Sequence, residues 1–188
     1  MPTDSQDIYT VDTRITMYNN LPKGGIGAEI GVCKGANAAH LWLMSRPKVL
    51  HLVDLWERNE LTEKEHPIEL HYNDWRYMLE WMFPKEIESG EVVLHKKNST
   101  QFLEELEDGG LDWVYLDGEH SFINVVAELK LCARKVKKGG VIAGHDFISP
   151  SFRWCGVPQA VLQCVQEGLI RVECLSVDQF SSFFARVL

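Results

Sequence analysis

The chain has 188 residues, 45% hydrophobic and 24% charged, which suits one soluble globular domain and excludes a wholly disordered or fibrous protein. Lys and Arg number 19 against 27 Asp and Glu, a net charge of −8, and the basic runs (Lys96-Lys97, Arg134-Lys135 with Lys137-Lys138) are short, so no nucleic-acid partner is expected. No apolar run reaches the roughly 18 residues of a membrane span, and the polar start lacks a signal-peptide pattern, which leads to the expectation of a cytoplasmic protein without a membrane partner.

In chain order, residues 8–20 suit a short leading helix on the pattern Ile8, Val11, Ile15 and Met17, so residues 1–24 are expected to be a lead segment and 25–188 the main domain. Ala28 to Val32 is strand-like. Beyond Gly35 a helix-forming stretch stops before Pro47, and Val49 to Asp54 reads as a second buried strand. Residues 57–90 are acidic and aromatic. Leu70, Tyr77 and Trp81 can share one helical face and Tyr72, Trp75 and Met82 another, giving a connecting helix, a lid over a ligand, or a surface for a homo-oligomer. Val92 to His95 is a strand, and Ser99 caps a helix to Leu106. Leu111 to Leu116 is a strand and Ile123 to Val136 a helix, which Gly139-Gly140 ends before a strand from Val141. Val157 to Glu167 is helical, and the runs Ile170–Ser176 and Phe183–Leu188 are expected to be antiparallel partners. Strands alternating with helices predict an α/β fold built on parallel βαβ units. The five cysteines are odd in number and include no C-x-x-C, which argues against a disulfide framework and a cysteine zinc site.

Four constellations carry chemistry. Glu29-Ile-Gly-Val-Cys-Lys-Gly35 closes the first strand, and its glycines at 31 and 35 permit a sharp turn with close approach of a ligand to the backbone. It is neither G-x-G-x-x-G nor a P-loop, which disfavours a nicotinamide dehydrogenase. Asp54 ends the second strand 23 residues beyond Gly31, where an acid can accept the hydroxyls of a ribose. Asp117-Gly-Glu-His-Ser121 and Gly144-His-Asp146 follow two further strands and would emerge at the same sheet edge. Two acids and two histidines there suit proton abstraction or metal-assisted chemistry. For each histidine alone, a structural or capping role is the plainer reading; their joint placement favours a catalytic one.

Taken together, these residues resemble the class I S-adenosylmethionine-dependent methyltransferases over roughly residues 25–188. Within that class they look most like small-molecule O-methyltransferases with an Asp-Gly-x-His motif, akin to macrolide-sugar and catechol-type enzymes. Glu29-x-Gly31-x-x-x-Gly35 is similar to the first motif, with Cys33 where glycine is common, and Asp54 with Trp56 resembles the ribose-binding acid and an adjoining aromatic. The resemblance implies a Rossmann-like sheet of seven mostly parallel strands, helices on both faces and an antiparallel last strand. It also implies S-adenosylmethionine as cofactor, with Gly31 and Gly35 facing its methionine part, Asp54 the ribose and the Asn98-Ser99 turn the adenine, and with Glu29, Trp56 and Asp117 completing the cofactor-binding set. The partner implied is a small-molecule methyl acceptor. In metal-dependent relatives, acids matching Asp117 and Asp146 hold Mg²⁺ and a histidine matching His120 removes the substrate proton. His145 stands where those relatives carry an acid, and an imidazole is a poor ligand for so hard a cation. His120 is therefore the expected base and His145 its rival. The competing readings are a strictly metal-dependent methyltransferase or hydroxylase, and a nucleoside-binding or assembly protein that keeps the fold without turnover.

Overall fold

Short runs of Val, Ile, Leu and aromatic residues, too apolar for one-sided exposure, become strands of a sheet covered on both faces. The computed structural model describes residues 7–57, 72–148 and 155–188. Among the described residues the strands are β1 (Tyr9–Val11), β2 (Ile26–Ile30), β3 (Val49–Asp54), β4 (Val92–Lys96), β5 (Leu111–Leu116), β6 (Val136–Gly144), β7 (Ile170–Ser176) and β8 (Phe183–Val187). They form one sheet of eight in the order β1-β7-β8-β6-β5-β2-β3-β4. β2 to β6 pair in parallel, and β8 runs antiparallel to both β6 and β7. The α/β architecture with a mostly parallel sheet and an antiparallel last strand is thus the observed one, with an eighth strand added at the edge.

That extra strand comes from the lead segment. Instead of one helix over residues 8–20, Tyr9–Val11 pairs in parallel with β7, and only Arg14–Met17 (α1) and a 3₁₀ turn at Tyr18–Asn20 are helical. The open edge of β7 offers a row of unpaired backbone groups, and pairing with it outweighs a weak helical periodicity.

The remaining described helices are α2 (Ala36–Ser45), α3 (Tyr72–Met82), α4 (Pro84–Ser89), α5 (Ser99–Glu105), α6 (Phe122–Lys135) and α7 (Val157–Gln166). On one face, Phe102 and Leu103 of α5, Val125, Leu129 and Cys132 of α6, and Ala160 and Val161 of α7 pack on Ala28, Ile30, Val53 and Val114. The other face buries Met17, Tyr18, Ala38, Leu41, Trp75, Leu79 and Phe83 against Leu50, Leu52, Trp113 and Tyr115. Each such large side chain contributes about 1.5–3 kcal/mol on burial.

Two boundaries differ from expectation. Gly139-Gly140 lies inside β6, not before it, because the chain passes from α6 directly into the strand and absorbs the turn as a register shift opposite Leu111 and Trp113. Of the connection expected over 57–90, residues 58–71, Leu70 among them, lie outside the described residues. Within α3, Trp75 and Leu79 are buried while Trp81 is 85% exposed beside exposed Tyr77, so one apolar side meets the core and the other solvent. No described helix is long and apolar enough to cross a membrane.

Candidate active site

Because β2, β3, β5 and β6 are parallel, their carboxyl ends share one edge, where open α/β sheets bind ligands. Backbone hydrogen bonds tie the ends together: Gly31 N–H donates to Val53 O at 2.9 Å, Asp117 N–H to Ile30 O at 2.8 Å and His145 N–H to Leu116 O at 2.9 Å. Gly31 has φ of +85°, and a Cβ there would lie 2.0 Å from the Asp117 carbonyl oxygen. No other residue fits, because β2 and β5 close on each other at that point. Gly35, with φ of +82°, caps α2 in the left-handed region.

Asp54 knits the turn. Its Oδ2 accepts Cys33 N–H at 2.9 Å and its Oδ1 accepts Trp56 N–H at 2.8 Å. The Trp56 indole, 2% exposed, donates from Nε1 to Cys33 O at 3.1 Å, so the ring is packed beneath the turn. Among the described residues, left-handed backbone occurs at four non-glycine positions, and three of them, Cys33, Trp56 and Asp146, follow these strand ends. Such backbone costs about 1–3 kcal/mol each and clusters at functional sites.

Glu29 is fully buried in β2. Its Oε1 accepts Asn37 Nδ2–H at 3.0 Å, and Asn37 Oδ1 in turn accepts the Tyr18 hydroxyl at 2.7 Å. Oε2 has no partner among the described residues. Burial pushes the Glu29 carboxyl up to about 8, which the Asn37 hydrogen bond only partly offsets.

At the ends of β5 and β6 the other two acids meet both histidines. His120 Nε2 lies 3.0 Å from Asp146 Oδ2 and 4.0 Å from Asp117 Oδ1. His145 Nδ1 lies 3.2 Å from Asp146 Oδ2 and 3.5 Å from Asp117 Oδ1. Burial disfavours the charged imidazole of His145, but hydrogen bonds to Asp117 and Asp146 raise it to about 9. Burial likewise works against the Asp146 carboxylate, yet His120 and His145 hold it well below the usual carboxylate range. Glu119, not His120, tends the start of α6: Oε1 accepts Ser121 N–H at 2.9 Å and Oε2 accepts the Ser121 hydroxyl at 2.8 Å. Asn98 caps α5, accepting Gln101 N–H at 2.8 Å, and Ser99 opens that helix beyond β4.

Asp117, His120 and Asp146 offer one ligand atom each within 4.8 Å of one another. Two carboxylates with an imidazole suit a borderline transition ion better than magnesium, which prefers an all-oxygen octahedron. His145 Nδ1 also stands against both acids, 3.5 Å from Asp117 Oδ1 and 3.2 Å from Asp146 Oδ2. Magnesium fits this set poorly.

A model of the methyltransferase domain family matches residues 28–147, from the Glu29 turn to just beyond Asp146. The chain belongs to that family. A search of curated proteins finds no match to the sequence. Among solved structures, this methyltransferase domain is similar to a SAM-dependent methyltransferase from Aquifex aeolicus, with TM-score 0.60 and 14% identity over 93% of this chain and 88% of that one. It is similar to geranyl diphosphate C-methyltransferase from Streptomyces coelicolor in complex with Mg²⁺, geranyl diphosphate and S-adenosyl-L-homocysteine, with TM-score 0.64 and 9% identity over 93% and 78%. Spermidine synthase from Thermotoga maritima matches with TM-score 0.61 and 13% identity over 93% of this chain, which spans only 56% of that enzyme. At such identities the likeness is one of fold.

The site of this methyltransferase domain also holds residues that sequence reasoning did not single out. Arg14 of α1 places Nη1 3.5 Å from Asp117 Oδ2, and Tyr18 and Asn37 complete the Glu29 chain. Asn37 is the second residue of α2, directly after the glycine loop, and its reach to Glu29 is set by the turn at Gly35.

Proposed function

We propose that the chain is an S-adenosylmethionine-dependent methyltransferase acting on a hydroxyl of a small molecule such as a sugar or natural product, with His120 as general base. The observation that carries this reading is the 3.0 Å contact between His120 Nε2 and Asp146 Oδ2 beside the Gly31 turn. When bound, the cofactor supplies a sulfonium methyl group, which passes to the acceptor oxygen as the carbon–sulfur bond breaks and leaves S-adenosylhomocysteine. The turn from Gly31 to Gly35 faces the methionine part. Asp54, its two oxygens fixed by Cys33 and Trp56, keeps further lone pairs for ribose hydroxyls, and the Asn98-Ser99 turn faces the adenine. His120 takes the hydroxyl proton as the new bond forms, and Asp146, held ionised, stabilises the imidazolium produced. His145, raised to about 9, is already protonated near pH 7 and serves as a fixed positive charge beside the two acids. Phe122, Ile123 and Ile148, all exposed, flank His120 and Asp146 in the chain, an apolar rim that favours an organic acceptor over a polyanion.

The test is release of S-adenosylhomocysteine from S-adenosylmethionine with a panel of hydroxylated acceptors. With an accepted substrate, His120→Ala is expected to cut turnover by about 10²–10⁴-fold while cofactor affinity persists. Near-normal turnover in His120→Ala with loss in His145→Ala would move the base to His145. Cofactor binding without turnover on any acceptor would support the nucleoside-binding alternative.

A further inference from the structure

Helix α3 is apolar on two sides. Inward, Trp75 and Leu79 are buried, Lys34 Nζ stands 5.1 Å over the Trp75 ring, and Leu79 is the side chain that a Cβ at Gly35 would strike. The helix therefore backs the glycine turn of the candidate site. Outward, Tyr77 is 63% and Trp81 85% exposed, with half-exposed Met78 on their flank. Residues four apart in a helix are surface neighbours, so the two rings form one continuous aromatic surface.

At about 150–250 Å² per aromatic side chain, those exposures leave roughly 220–370 Å² of ring surface in water. Monomers rarely expose a contiguous apolar patch larger than a few hundred Å². A standard interface takes about 800 Å² from each partner, a little over half of it apolar. Tyr77 and Trp81 alone supply roughly half or more of that apolar share, and Met78 adds to it.

The charges beside the rings select the occupant. Arg76 and Glu80 stand at i and i+4, 3.4 Å apart, with side chains 46% and 40% exposed. So exposed a pair holds the helix only weakly, which leaves both side chains free to exchange partners. A two-fold axis crossing the helix near position 78 lays a second α3 antiparallel on the first. Positions equally far to either side of that axis then meet, so Arg76 of each copy faces Glu80 of the other. The same operation sets Trp81 of each copy beside Tyr77 of the other. A face of one charge sign would instead repel its own copy.

We propose that the outward face of α3 is a homodimer interface, with α3 packed antiparallel on α3 of a second copy about a two-fold axis. The pairing is independent of the methyl acceptor and places a glycine turn on the inner side of each α3.

The test is sedimentation velocity of the full chain from about 1 to 200 µM, where mass action shifts a dimer equilibrium. It compares wild type with Trp81→Glu, Arg76→Glu, Glu80→Arg and the double reversal Arg76→Glu/Glu80→Arg. Wild type is expected to dimerise with rising concentration. Trp81→Glu should weaken the dimer by about 10²–10³-fold, because a two-fold interface loses the anchor twice. Each single reversal sets like charges against each other and should weaken it too, while the double reversal should restore it. All variants should keep the wild-type circular dichroism spectrum, since the substituted side chains lie outside the core. Wild type that stays monomeric throughout would assign this face to a different partner and overturn the proposal. A dimer that survives Trp81→Glu would place the contact elsewhere and overturn it as well. Loss in Trp81→Glu with no response to either single reversal, or no recovery in the double reversal, would refute the antiparallel pairing.

Discussion

Glu29 makes stability depend on pH in a direction opposite to that of an ordinary surface acid. Its carboxyl is raised from 4.5 to about 8 by burial, so between those values the folded protein keeps a proton that the unfolded chain has released. Stability must then fall as pH rises through that window, by about 1.4 kcal/mol per unit, with the sign set by the larger number of protons bound in the native state. Across the whole window this amounts to roughly 5 kcal/mol, comparable to the lower end of the stability of a typical domain. Glu29→Gln keeps the shape and keeps an amide oxygen for Asn37 Nδ2–H, but cannot ionise. Urea unfolding of both proteins from pH 5 to 6.5 isolates the effect, because His145, raised to about 9 from 6.5, adds its own slope of the same sign only above that range. Glu128, raised to about 7 by burial, contributes equally to both proteins and drops out of the difference. The wild type should lose about 1.4 kcal/mol more per pH unit than Glu29→Gln. Parallel slopes would refute the reasoning, because they would mean that Glu29 titrates alike in the folded and unfolded chain.

Gly31→Ala should destabilise the fold by about 2–4 kcal/mol, combining left-handed strain with overpacking against Asp117, readable as a lower urea midpoint at unchanged m-value. Mg²⁺ at about 100 times a millimolar dissociation constant would add ~2.7 kcal/mol of stability. No such rise is expected on addition of Mg²⁺, since His145 stands against the carboxylate oxygens of Asp117 and Asp146; a clear increase in Tm that Asp146→Asn abolishes would show that the ion binds there.

The parallel core of the fold was legible because each buried strand is a short run of β-branched and apolar residues between helix-forming stretches. Val49–Asp54, Leu111–Leu116 and Ile170–Ser176 fall where the pattern places them. The acids of the site were legible for a related reason: each stands at or within two residues of a strand's carboxyl end, and parallel pairing brings those ends to one edge. The start of the chain was not legible, because three residues pairing with a distant edge strand leave no local periodicity. Gly139-Gly140 misled, since a glycine pair that ends a helix and one that absorbs a strand bulge look alike in sequence. The proton on Glu29 depends on total burial, and the reach of Arg14 to Asp117 depends on α1 lying over the sheet edge; both are properties of packing.

The claim that this methyltransferase domain binds S-adenosylmethionine through Asp54 is tested most directly by calorimetric titration of the purified chain with S-adenosylhomocysteine, in parallel with NAD. The account predicts saturable binding at one site for S-adenosylhomocysteine, weakened by about 1.5–3 kcal/mol in Asp54→Ala, and no binding of NAD. Binding of NAD with no response to S-adenosylhomocysteine would contradict it.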